Sequence, residues 1–360
     1  MSLDHPIRSP DDPALDALTA ELADRATALD AQGGWPAAQL AACARAGVFE
    51  WFVPLEAGGQ GWSDVDVVRG YLRLSAACLT TTFIITQRAG ACRRIAECAS
   101  EALRDRLLPP LLAGETFATV GISHLTTSRR HLGRPVLSAR ETADGFRLDG
   151  YSPWVTGAIH AQSIVLGATL EDGRQVLLAM PTDLPGVELC QPLPLVGLSG
   201  SHTGEVRCHD VTVGREWLLA GPEENVMSSG QGAATGGLQT STLAVGLTLA
   251  AVAYLEDEAA RRDDLRQAAA GLRNELDAAR DDLLALAAGT AVCTAQDFRA
   301  RANSLVLRST QAALAAAKGS GYVVGHRAGR WCREALFFLV WSCPQPVMAA
   351  NLCELAGLSD

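Results

Sequence analysis

Lysine is almost missing from this sequence. Lys318 is the only one in 360 residues, against 29 arginines, and no basic run occurs. With a net charge of −10 and a pI near 5.2, a basic stripe able to follow a nucleic-acid backbone is excluded. The apolar stretches fall short of the roughly 18–20 uninterrupted residues of a membrane span, so no membrane partner is expected. Ten cysteines are present, yet they form no Cys-x-x-Cys pair and no Cys/His ladder. That scatter argues against a disulfide framework and against any metal site, and it suits reduced, mostly buried thiols in a cytoplasmic protein. The opening, MSLDHPIRSPDDP, is acidic and proline-rich, unlike a secretory signal. What is present is core material: 48% hydrophobic against 19% charged residues excludes disorder and supports two or three packed units.

Three regimes follow one another. Residues 1–116 are helical in pattern. Leu15, Leu18, Leu22, Ala26 and Leu29 recur at three and four, the Gly58–Gly61 stretch marks a turn, and helices are expected from Asp64 to Ala99 and from Glu101 to Ala113. Residues 117–222 alternate short apolar runs with turn pairs. Ser163–Leu166 and Val176–Met180 flank Asp172-Gly173 as a hairpin. After a glycine-rich linker at 228–232, residues 223–360 return to helix. There Leu265, Ala269, Leu272, Leu276, Ala279, Leu283 and Leu286 step by four and three, the core stripe of a bundled helix. The fold class is mainly α with a central β-domain.

That order resembles the acyl-CoA dehydrogenase superfamily, and four local segments carry the resemblance. Gly47-Val48-Phe49 through Pro54-Leu55-Glu56-Ala57-Gly58-Gly59-Gln60-Gly61 is similar to the family's Pro-Glu-x-x-Gly-Gly-x-Gly segment. Leu107–Glu115 is similar to the stretch preceding the family's β-domain. Phe146–Ala158, with Trp154-Val155-Thr156, resembles its β-domain signature. Gly321-Tyr322 through Arg330, Arg333, Glu334 and Ala335 keeps the spacing of the late Gly-Tyr … Arg-x-x-Arg-Asp-Ala segment. The resemblance implies an N-terminal helical domain, a middle β-domain and a C-terminal four-helix bundle, assembled as a homodimer or homotetramer. It also implies FAD, with FMN as the alternative. Trp154 and Thr156 fall on flavin-contacting positions, although Trp154 also reads as a β-domain core aromatic. Ile122 and Ser123 fall on a flavin-contacting loop. Arg262 falls on an arginine facing the dinucleotide, and Gly319 and Gly321 on a glycine turn near a neighbouring subunit's dinucleotide, or on a plain helix break.

Departures from the family pattern are as specific as the matches. Arg262-Asp263-Asp264-Leu265-Arg266 keeps the arginine of Arg-x-x-Phe-Gly and loses the rest, gaining two carboxylates. His124–Arg130 replaces an expected Glu-Pro-x-x-Gly-Ser-Asp loop. Removing an α-proton from an acyl thioester needs a carboxylate within hydrogen-bond reach. The two family locations for that glutamate hold Ser342 and Gly236 here. His124 is a candidate acid–base group or else a structural loop histidine; His202 and His326 are weaker candidates of the same kind. Cys343 reads as a buried, inert thiol, and Arg129 and Arg130 as a solvated face or an anion-greeting pair. Three functions follow. The first is an acyl-CoA dehydrogenase-like flavin oxidoreductase acting on a small molecule such as an acyl thioester. The second is a two-component flavin monooxygenase served by a separate flavin reductase. The third is a cofactor-free scaffold or binding protein.

Overall fold

The computed structural model describes residues 5–126, 135–228, 236–291, 293–341 and 343–358. Helix α1 (Ala14–Gln32) buries the predicted stripe of Leu15, Leu18, Leu22, Ala26 and Leu29. It stops at Gly33, whose left-handed φ of 65° lets its N–H reach the Leu29 carbonyl. Helix α2 (Ala37–Arg45) follows. The single helix expected over 64–99 is two helices, α3 (Asp64–Ala77) and α4 (Leu79–Glu97), broken at an extended Cys78. The threonines that follow explain the break. Thr81 Oγ1 lies 3.2 Å from Cys78 Sγ and Thr82 Oγ1 donates to Cys78 O at 2.8 Å, so these β-branched side chains favour a fresh start over continuation. Helix α5 (Glu101–Leu112) carries Pro109-Pro110 in its last turn. Buried Arg88 of α4 donates to Leu111 O in the last turn of α5 and to Thr116 O just past it.

The β-domain opens with β1 (Ala118–Gly121) and a short helix α6 (Ser123–Thr126). It continues through β2 (Leu137–Glu141), β3 (Gly145–Val155), β4 (Ser163–Leu170), β5 (Gln175–Pro181), β6 (Val187–Leu189), β7 (Gly204–Gly214) and β8 (Leu218–Glu223). The sheet order is β6-β7-β3-β2-β4-β5-β8, with β1 also parallel on β4. The expected hairpin is β4–β5, turning at Gly173 with φ 89°.

Helices α7 (Gly236–Ala259), α8 (Arg266–Ala287) and α9 (Ala295–Gly321) form the long part of the C-terminal bundle, completed by α10 (Arg327–Ala335) and α11 (Gln345–Leu355). The α8 stripe is core as expected: Ala269, Leu272, Leu276, Ala279 and Leu283 are buried, and Leu265 and Leu286 pack against the same cluster. Most of the predicted linker at 228–232 lies outside the described residues. Contrary to expectation, one segment, Leu238–Ala259 of α7, is long and apolar enough to cross a membrane. Its most apolar window is 72% buried inside the bundle, so it serves as the core helix. Helices from both ends of the chain share a single hydrophobic core, while the sheet has its own. The two helical regimes of the sequence are therefore one body in space, with the β-domain inserted between them.

Candidate active site

The site begins where β3 ends. Trp154 is 55% exposed there, whereas Thr156, just past the strand, is buried. The core-aromatic alternative for Trp154 fails on that exposure. Thr156 Oγ1 lies 3.0 Å from Thr203 Oγ1, which lies 2.9 Å from Ser201 Oγ. Each hydroxyl carries one proton, so when Ser201 donates to Thr203 and Thr203 to Thr156, the Thr156 proton is left for a ligand. Gly157 then turns the chain with φ 66°; a Cβ there would meet Trp35 at 2.7 Å and Phe117 at 2.9 Å, so only glycine fits. Ile122 and Ser123 follow β1, which runs close to β3: a Cβ on Gly121 would lie 3.2 Å from Ser152 Oγ. The four predicted residues thus lie at or just past the ends of two neighbouring strands that run in opposite directions.

His124 does not serve that site. Its ring is buried and its Nε2 donates to Gly167 O of β4 at 2.7 Å, while burial lowers its pKa below the ordinary histidine value. A neutral ring held by a strand carbonyl is structural. His326 is also structural: its Nδ1 accepts from Ala328 N at 3.1 Å and caps α10.

The remaining predicted residues meet at the end of α9. Arg262 Nη1 donates to Ala316 O at 2.7 Å, and its Nη2 lies 3.3 Å from Asp264 Oδ2. The helix kinks at Lys318, with φ 55° and ψ −148°, just before Gly319 and Gly321. Gly319 faces open space, whereas a Cβ on Gly321 would lie 2.7 Å from the Ala317 Cβ. Arg262 and the glycine turn are therefore neighbours, but the arginine's hydrogen bonds are spent within the chain. Past the turn, Tyr322 and Val324 are 88% and 86% exposed.

Ser342, Arg129 and Arg130 lie outside the described residues. The segment before Ser342 is held firmly. Trp341 stacks on Phe337 at 4.9 Å and meets Phe83 edge-on at 5.0 Å. Buried Arg299 donates through Nη2 to Trp341 O and through Nε to Asn303 Oδ1, both at 2.9 Å. Neither acceptor is a carboxylate, and burial pushes Arg299 down to about 10. Cys343 is half-buried, and burial raises its thiol above the usual range, which suits inertness. Gly236 opens α7 and offers no carboxylate.

The late Arg-x-x-Arg-Glu segment is architectural. Arg333 grips both carboxylate oxygens of Asp30 on α1 and donates to Val196 O. Glu334 is fully buried, 3.8 Å from Arg330, and burial outweighs that arginine to push its carboxyl up to about 7. Sequence reading missed Asp30, Trp35 and His160. Trp35 and His160 stack beside the turn after Thr156, and no local pattern marks either of them.

Comparison with known proteins agrees with this architecture. Residues 11–115 match the family described as "Acyl-CoA dehydrogenase, N-terminal domain". The chain is 25% identical over 239 residues to "Probable acyl-CoA dehydrogenase YngJ" of Bacillus subtilis, covering 64% of this chain and only 62% of that protein. It is 24% identical to the mitochondrial short-chain specific acyl-CoA dehydrogenase of Mus musculus, covering 88% of this chain and 81% of that one. Among solved structures, a glutaryl-CoA dehydrogenase from Mycobacterium smegmatis in complex with FADH2 superposes with a TM-score of 0.82 at 15% identity, covering 97% and 96% of the two chains. Dibenzothiophene monooxygenase (TdsC) from Paenibacillus superposes at 0.77 and 18% identity, covering 96% of each. Residues 11–115 thus match the acyl-CoA dehydrogenase N-terminal domain, and the whole chain has the fold of solved acyl-CoA dehydrogenases.

Proposed function

We propose that the chain is an FAD-dependent oxidoreductase that acts on a small-molecule substrate. The observation that carries this reading is Trp154: a large apolar ring left open beside the buried hydroxyl of Thr156. A flat cofactor ring wants an apolar wall and a few placed donors. Trp154 is the wall, and the Thr156 hydroxyl with the main chain at Ile122 and Ser123 supplies the donors. Arg262, Gly319 and Gly321 stand where the dinucleotide half would rest, which favours FAD over FMN. The exposed Tyr322–Val324 loop beside them suits a second subunit, so a homodimer or homotetramer is the expected assembly. Bound flavin supplies a two-electron acceptor; the chain itself binds, orients and shields.

What the chain does not supply is a base. Neither Ser342 nor Gly236 is able to take an α-proton, so dehydrogenation of an acyl thioester is expected to be slow. That absence favours a second reading, a monooxygenase fed by a separate flavin reductase, in which no α-proton is removed. Anaerobic mixing with a panel of acyl-CoAs separates the two: rapid bleaching of the flavin supports dehydrogenation. Oxygen-dependent product formation that requires a reductase supports the second reading. A protein that takes up neither FAD nor FMN leaves only the scaffold function.

A further inference from the structure

Two histidines hold the turn that follows Trp154 and Thr156. His160 Nε2 lies 2.8 Å from His202 Nδ1, and His202 Nε2 lies 3.1 Å from Gly33 O at the end of α1. A carbonyl only accepts, so His202 Nε2 carries a proton. In the neutral ring Nδ1 is then a bare acceptor, and His160 Nε2 must be the donor. One carbonyl thus fixes the tautomer of both rings. Trp35 stacks on His160 with centroids 4.1 Å apart and planes 20° apart. His202 itself sits in the left-handed region with φ 46°, uncommon for a residue other than glycine. Its carbonyl, with that of Ser201, accepts from Gly157 N at 3.1 and 3.0 Å. Thr156, Gly157 and His160 are each tied to the stretch Ser201–Thr203.

We propose that His160 and His202 form a proton-sensitive clasp, with His202 as the positioning residue, that fixes the Trp154–Thr156 strand end against α1 and opens in acid. The inference rests on reading that strand end as the flavin wall. A proton on His202 must land on Nδ1, the atom accepting from His160, and sets N–H against N–H. A proton on His160 lands on Nδ1 and leaves the bond intact. The pair therefore tolerates one charge and not two. Burial, and then the neighbouring His202, already lower the pKa of His160. No counter-charge faces the pair among the described residues. Asp30, at the same end of α1, is committed to Arg333. Trp35 and Phe117 are uncharged, neutral Gln162 approaches His160 O at 3.4 Å, and the 199–201 turn offers hydroxyls. The stability the clasp contributes is present above the ordinary histidine pKa and is lost as pH falls through the lowered value.

The test follows histidine ring resonances, tryptophan fluorescence and flavin retention of the full-length protein from pH 8 to pH 4.5. The His160 signal should change below the ordinary value of about 6.5, and the bond to His202 should be lost in the same transition. A fluorescence change at the same midpoint should vanish in Trp35→Phe. His160→Gln keeps an N–H donor where Nε2 stood and carries no charge. It should retain flavin at pH 8 within about twofold of wild type and lower the acid midpoint by about half a pH unit or more. His202→Ala should weaken flavin retention about 5- to 10-fold at pH 8, the loss of one or two half-buried hydrogen bonds, and flatten the pH profile. Independent titration of the two rings near 6.5, or an unchanged acid profile in His160→Gln, overturns the clasp. The resonances and fluorescence need no flavin, so a protein that binds none contradicts the flavin reading alone. If His202→Ala does not fold, His160→Gln still decides.

Discussion

The two halves of the candidate site differ in how freely their residues stand. At the end of β3, Trp154 is open to solvent, and the buried Thr156 hydroxyl beside it joins a chain with those of Thr203 and Ser201. At the end of α9, the family's arginine is kept, but Arg262 has turned to Ala316 O and Asp264. A residue can survive in a sequence while its hydrogen bonds are spent elsewhere. On the proposed reading the β-domain half offers a ring an open indole beside a buried hydroxyl, whereas the arginine of the other half is already engaged by Ala316 O and Asp264.

The sharpest way to extend that comparison is to add what neither half supplies. Ser342→Glu places a carboxylate at the family's base position, and a placed general base contributes about 10²–10⁴-fold. The gain is expected in acyl-CoA-dependent flavin bleaching, followed by stopped flow. The new carboxylate would join a chain segment whose preceding carbonyl is held by Arg299, a buried cation without a carboxylate partner among the described residues. Flavin content and melting temperature are the controls, because an unpaired buried carboxylate raises its own pKa and costs stability. A folded, flavin-loaded variant that still fails to bleach argues for the oxygenase reading.

The wall comes next. Trp154→Ala removes the apolar face and should weaken flavin binding about 10- to 100-fold, read by titration of the apoprotein, with little change in melting temperature because the ring is exposed. Removing the tie between α1 and α10 has the opposite profile. Asp30→Ala leaves Arg333 without its two-pronged acceptor and should cost about 1 kcal/mol in urea denaturation, because a partly exposed charge-assisted pair is broken.

Glu334 gives a pH signature to the helical body. Its folded pKa is raised to about 7, so its contribution to stability is full below about pH 4.5 and is lost as pH rises through about 7. Glu334→Gln should flatten that part of the melting-temperature profile. The smallest effect is expected at the other half of the site: Arg262→Ala should change FAD affinity by less than about threefold, since its hydrogen bonds are internal. A larger loss would mean that Arg262 leaves Asp264 for the cofactor.

Much of the fold was legible because periodicity reports burial directly. The α1 and α8 stripes are core at the expected positions, and the Asp172-Gly173 hairpin is β4–β5. The break at Cys78 was not legible, because a helical apolar pattern runs straight through it and only the threonine hydroxyls reveal the competition. In the candidate site, the residues that a local motif marks, Trp154 and Thr156, could be picked out from the sequence. The site was not legible where the chemistry is assembled across the chain. His202 was a distant candidate and His160 was unmarked, because a histidine 42 positions away in sequence gives no local sign of pairing. His124 shows the converse: its place beside a flavin-contacting loop suggested chemistry, and its ring faces a strand carbonyl.

The central claim is that an open indole and a buried hydroxyl at the end of β3 form the wall of a flavin site. An absorbance scan of freshly purified protein, followed by chromatography of what the denatured protein releases, tests it most directly. The account predicts a yellow preparation, or one that FAD turns yellow, releasing FAD and losing most of it in Trp154→Ala. A colourless protein that neither FAD nor FMN colours, with wild type and Trp154→Ala indistinguishable, would contradict it.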